Sequence, residues 1–177
     1  LRRPAGSCLV GLGAQAWPVL VAQRIAPLGG GGDQSAPLVA QADAQMHMPF
    51  KVSEYTDFYA GKHHAMNVGT MFRGPENALP PNWLHIPIGY NGRASSVVVS
   101  GTDIVRPNGQ TKAPDADTPT FGPCKRLDIE LEMGAIVGTG ERLGHPVSVA
   151  DADERVFGYV LPNESAARAI QTGEETA

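Results

Sequence analysis

Between Arg126 and Gly134 apolar and acidic residues alternate without a break: Leu127, Ile129, Leu131 and Met133 with Asp128, Glu130 and Glu132. A period of two belongs to a β-strand, whose successive side chains point to opposite sides, so the three carboxylates share one face. Same-face neighbours along a strand stand about 6–7 Å apart and repel when alike in charge. No Lys or Arg interleaves with them. Either the strand turns a merely acidic polar face to solvent, or a divalent cation answers the charges. Ca2+ and Mg2+ both take carboxylate oxygens. Further strands are expected at "SSVVVSGT" and "VFGYVLPN", a short helix between the glycines of "YAGKHHAMNVGTMF", and, from helical spacing, a closing helix at "ESAARAIQ". Between them lie an extended entry over 37–60, a proline-studded loop "RGPENALPPNWLHIPIGYNGRA", a loop with turn signals "RPNGQTKAPDADTPTFGP" and a turn at "GTGERLGHP". No repeat is visible. Short strands joined by long loops predict a β-rich mixed α+β fold.

Composition narrows the picture. The chain has 177 residues, 42% hydrophobic and 18% charged, with a formal net charge of −4. That balance gives no basic excess to draw nucleic acid. Twenty-one glycines and fifteen prolines favour turns over long helices. Cys8 and Cys124 form no CxxC pair, which points away from a thiolate zinc site or disulfide framework and towards a reducing compartment. Residues 1–37 are rich in Ala, Gly and Pro and include four successive glycines at 29–32. They are expected to form a poorly ordered segment ahead of a folded unit over 38–177. Residues 1–22 loosely mimic a signal peptide, but Pro18 and the glycines interrupt the apolar run, which is too short to span a bilayer. The chain starts at Leu1 instead of Met, and a fragment is expected.

Several side chains are candidates for chemistry. Asp57 and Glu164 could add carboxylates to those of the acidic strand. His63 and His64 are adjacent, so at most one can face a site, and a histidine beside a cation site is a natural general base. Arg73 could grip a substrate carboxylate through its planar fork. Tyr90, between Gly89 and Gly92, could present its ring to a pocket. Arg168 and Gln171 lie three apart on the expected last helix and could both donate to a developing oxyanion. Trp83, Leu84, Ile86 and Ile88 read as core, and His85 as a satisfied core histidine. His47 and His145 carry no usable pattern.

Taken in order, "YTDFY", "NVGTMFRGPENALPPNWLHIPIGYNGRASSVVVSGT", "RPNGQTKAPDADTPTFGP" and "LDIELEM" resemble the fumarylacetoacetase family, and the likeness runs from about residue 38 to Gln171. The resemblance implies a β-roll catalytic domain, here incomplete, that forms homodimers in the full-length family and works in the cytoplasm, without a membrane. It implies hydrolysis of the carbon–carbon bond of 4-fumarylacetoacetate to fumarate and acetoacetate, in tyrosine and phenylalanine breakdown. Residue by residue it gives Asp57, Glu130 and Glu132 as ligands of Ca2+ or Mg2+. Glu164 stands in "NESAARAIQ" where the family has an aspartate ligand. Asp128 matches no ligand. His64 matches the general base, Arg168 and Gln171 the donors to the reacting carbonyl, and Tyr59, Arg73 and Tyr90 substrate-binding positions. The family's orienting glutamate and charge-stabilising lysine match no position of this sequence. The alternative is therefore a remnant that binds a divalent cation or another chain without turning over substrate.

Overall fold

A computed structural model describes residues 40–174 together with Gly11 and Trp17. The expectation of a poorly ordered segment over 1–37, linker glycines included, otherwise lies outside the described residues. Eight short strands run along the described chain: β1 Thr56–Phe58, β2 Gly89–Asn91, β3 Asn108–Thr111, β4 Thr120–Pro123, β5 Leu127–Leu131, β6 Gly134–Val137, β7 Val156–Val160 and β8 Asn163–Ala167. Two helices accompany them, α1 Lys62–Arg73 and α2 Arg168–Glu174. The strands pair as β1–β2, β3–β4, β5–β8 and β6–β7. This is the β-rich mixed architecture the pattern predicts. No helix among the described residues is long and apolar enough to cross a membrane.

The chain divides into two compact units, one containing Val52–Val98, Val105–Leu127 and the stretch from Ala167 onwards, the other Val99–Ile104 and Asp128–Ala166. In the first of these, α1 begins after Gly61 and ends at Gly74, whose φ of 79° is the left-handed conformation that glycine adopts without penalty. Ala65, Val68 and Gly69 are buried at helical spacing. Gly69 is required there: a Cβ at this position would stand 1.8 Å from the Ala78 carbonyl oxygen. The "RPNGQTKAPDADTPTFGP" stretch, expected as loop, holds an antiparallel hairpin with Asn108 opposite Pro123 and Thr111 opposite Thr120. Strands carrying Gly109, Gly122 and Pro123 have little β-propensity of their own, and it is pairing that makes them strands. The Cys124 amide extends the ladder to Pro107 O at 2.8 Å, and the Cys124 side chain is buried.

Three other expectations are corrected. "SSVVVSGT" forms no strand: Ala94–Ser96 is a 3-10 turn and the valines that follow join no ladder. Apolar β-branched residues make a strand only when another strand accepts their backbone bonds. Of the residues read as core, Trp83 and Ile88 are half-buried, whereas Leu84 and Ile86 are 69% and 53% exposed and His85 is exposed too. Pro80, Pro81 and Pro87 deny this segment the backbone donors of a regular element, so it runs as surface turns. Finally, the closing helix starts at Arg168, because residues 163–167 belong to β8. Helix propensity of the alanines there is a weak preference that pairing with β5 overrides.

In the other unit, β6 and β7 are antiparallel with Ala135 opposite Tyr159 and an irregularity between Ile136 and Val137. A 3-10 segment, Val149–Arg155, leads into β7 and is capped by Ser148, whose hydroxyl accepts from the Asp151 amide. Trp17 is buried and meets Phe157 edge to face, ring centroids 5.1 Å apart. On the acidic strand the exposure is the reverse of what alternation suggests. Ile129, Leu131 and Met133 are 68%, 77% and 74% exposed, while Glu130 and Glu132 are half-buried.

Candidate active site

The sheltered carboxylates are the starting point. Glu132 follows directly after β5, and its amide donates to the Pro162 carbonyl at 3.0 Å, just ahead of β8. That bond brings the start of β8 alongside the end of β5, and Glu164 is the second residue of β8. Carboxylate oxygens of Glu132 and Glu164 lie within 4.8 Å of each other, and both residues are half-buried. Glu164 Oε2 is shielded from solvent. Glu130 is half-buried on the same strand face but stands outside this grouping. Asp128 is exposed, and its Oδ1 accepts from the Ile129 amide at 2.9 Å. Two like charges so close in a partly dry setting form a hard anionic donor pair, of the kind that Ca2+ or Mg2+ takes as ligands.

The remaining candidates lie in the other unit. β1 and β2 pair antiparallel with Asp57 directly opposite Tyr90, so both side chains rise from the same face. The Asp57 carboxylate is paired with Arg93, Nη2 to Oδ2 at 2.9 Å. The Tyr59 amide continues the ladder to Ile88 O at 2.8 Å. The Tyr59 carbonyl accepts from the Trp83 indole at 2.9 Å. These bonds fix Tyr59 at the entrance to α1. Its hydroxyl donates to the Ala65 carbonyl at 3.1 Å, and its ring meets the His64 ring edge to face at 5.8 Å. The adjacent histidines divide as helical geometry requires: His63 is exposed and His64 half-buried. A cavity of about 460 Å³ is lined by Phe58, Tyr59, Trp83, Ile86 and Ile88 among others.

Arg73, at the far end of α1, donates through Nε to Asn77 O at 3.2 Å and through Nη2 to Ala78 O at 2.9 Å. These two bonds tie Arg73 to the turn after the helix. Arg168 and Gln171 do share a face: Arg168 Nη1 donates to Gln171 Oε1 at 3.1 Å. With its oxygen engaged, the amide NH2 of Gln171 is the end presented as donor. α2 packs on β3, where Ile170 lies against Gly109 so closely that a Cβ there would stand 2.5 Å from Ile170 Cδ1.

Sequence reasoning named no partner for Asp57. Arg93 lies 36 residues away, and only the β1–β2 register brings it near. The Asn-Gly of "YNGRAS" marks a turn there, and nothing local in the sequence marks the pairing.

Comparison with known proteins adds the family context. Residues 53–177 match the family described as Fumarylacetoacetate (FAA) hydrolase C-terminal. Over 142 residues the chain is 59% identical to the fumarylacetoacetase of Caenorhabditis elegans, covering 80% of this chain and 34% of that protein. The Homo sapiens fumarylacetoacetase is 57% identical over 136 residues, 77% of this chain and 32% of its own length. Fumarylacetoacetase of Oryza sativa subsp. japonica is 52% identical over 137 residues, with 77% and 32% covered. The chain spans about a third of the length of the curated relatives it matches.

Proposed function

This chain belongs to the fumarylacetoacetate hydrolase family, and from that premise we propose that it carries the cation-binding and water-activating part of a hydrolase for 4-fumarylacetoacetate. The observation that carries the reading is the half-buried Glu132–Glu164 carboxylate pair within the region that matches the family. In this proposal Asp57, Glu130, Glu132 and Glu164 hold Ca2+ or Mg2+. A bound divalent cation supplies Lewis-acid polarisation of the diketone oxygens. The donor set fits such an ion, being hard oxygen throughout.

The chain's own residues do the rest. His64 takes a proton from water as the hydroxyl oxygen bonds to the carbonyl carbon on the fumaryl side. The edge-to-face contact of its ring with Tyr59 supports this reading by restricting how the imidazole turns. Arg168 and the Gln171 amide donate to the tetrahedral oxyanion. The carbon–carbon bond then breaks, its electron pair leaving on the acetoacetate carbon, which takes the proton held by His64 to give acetoacetate beside fumarate and restore the neutral base. Tyr59, Arg73 and Tyr90 line the substrate in this reading. We place the reaction in a β-roll domain of a cytoplasmic homodimer, as the family resemblance implies.

The test follows fumarylacetoacetate consumption by the purified chain with Ca2+ or Mg2+, and again with chelator. Cation-dependent turnover supports the reading. A folded chain that binds the cation and turns over nothing leaves the second reading, a cation-binding unit without the reaction.

A further inference from the structure

The turn after β2 contains a left-handed backbone conformation at a residue that carries a Cβ. Arg93 has φ 65° and ψ 9°, and it is the one non-glycine residue with positive φ among the described residues. Left-handed backbone costs free energy at any residue with a Cβ, and glycine would remove the cost. An arginine there calls for a reason in its side chain. Gly92, itself at φ 105°, donates to Tyr55 O at 3.1 Å, so the turn leaves the sheet directly beside β1. Ser96 then fixes the Arg93 carbonyl from both its amide, at 2.9 Å, and its hydroxyl, at 2.8 Å. The guanidinium is thereby laid over the Tyr55 ring, 5.6 Å from its centroid, and against Asp57 Oδ2 at 2.9 Å. Tyr55 and Asp57 are two residues apart on extended chain, so they rise on one face and Arg93 spans both. The Asp57 side chain is only 16% exposed, against 46% for Arg93.

We infer that Arg93 is a positioning residue for Asp57: it holds one carboxylate oxygen so that the other is directed to the divalent cation. The inference rests on the ligand role given to Asp57 in the proposed function. A ligating carboxylate is commonly oriented by such an outer partner, and losing the partner costs roughly 10–100-fold in cation affinity. Charge alone would act in the opposite direction. A cationic neighbour repels the ion, so its removal would tighten binding unless orientation matters more.

The experiment titrates Ca2+, and separately Mg2+, onto the chelator-stripped chain by calorimetry, with a thermal melt of each metal-free variant. Arg93→Gly removes the guanidinium and relieves the backbone. It is expected to melt no lower than the parent and to bind the cation roughly 10–100-fold more weakly. Arg93→Lys keeps the charge but loses the planar fork, and a smaller loss is expected. Unchanged or tighter binding by the glycine variant overturns the inference. Should that variant not fold, the lysine variant decides: weaker binding supports positioning and parental affinity overturns it. Asp57→Asn, measured alongside, separates the two levels. If it loses affinity while Arg93→Gly does not, only the role of Arg93 falls. If Asp57→Asn binds as the parent does, or the parent binds neither cation, the ligand assignment falls and this inference with it.

Discussion

His64 and Glu132 illustrate how far single residues can be separated by chemistry. The His64 ring meets that of Tyr59 edge to face, and in the proposed reaction it touches water and not the cation. His64→Ala is therefore expected to lower turnover by roughly 10²–10⁴-fold while leaving Ca2+ affinity as it was, measured by activity and calorimetry on the same preparation. Equal loss of both would mean that the two roles are not separate. Glu132→Gln keeps the shape and removes the charge of a carboxylate lying within 4.8 Å of Glu164. It is expected to weaken Ca2+ binding more than Glu130→Gln does, because Glu130 stands outside that pair. Equal effects would put Glu130 among the ligands on the same footing. The carboxylates were legible in the sequence because an uninterrupted acidic face asks for an answering charge. Their exposure was not, since alternation says which residues share a face and nothing about which face is covered. That is why Leu131 and Met133 turned out exposed beside half-buried Glu132.

Among the elements, α1 was readable because glycines bound it on both sides and apolar residues recur at helical spacing within it. The hairpin β3–β4 and the strand β8 were not, because their residues have little intrinsic preference for strand and acquire it from partners distant in sequence. The same dependence on close approach makes Gly69 a sharp test. By helix propensity alone Gly69→Ala should stabilise α1 by up to about 1 kcal/mol. The added Cβ would instead meet the Ala78 carbonyl at 1.8 Å, which is backbone and cannot swing aside. Overpacking of this kind costs about 1–3 kcal/mol or more, so net destabilisation is expected in urea unfolding. A stabilised variant would mean that the turn after α1 yields easily. The loss should also disturb the bonds from Arg73 to Asn77 and Ala78, which span the same junction.

Across the described residues, burial is thin. Among the described residues the buried apolar side chains are Trp17, Ala65, Val68, Ala78 and Cys124, and each sheet has two strands. Two-stranded sheets are marginal on their own in water. Within the unit that contains β5, the row Ile129, Leu131 and Met133 stands mostly exposed on one strand face. Contiguous apolar surface of this sort favours association over solvation. The purified chain is therefore expected to bind a hydrophobic dye and to gain mass with concentration in light scattering. Ile129→Thr combined with Leu131→Thr leaves a β-branched residue, which a strand favours, at both positions while removing apolar area. Because these side chains are already in water, the double variant should change unfolding free energy by no more than about 0.5 kcal/mol per site. It should lower both dye binding and associated mass. If association persists unchanged, another surface drives it; if stability falls by several kcal/mol, the face is covered in solution and β5 is packed more deeply than its exposure indicates.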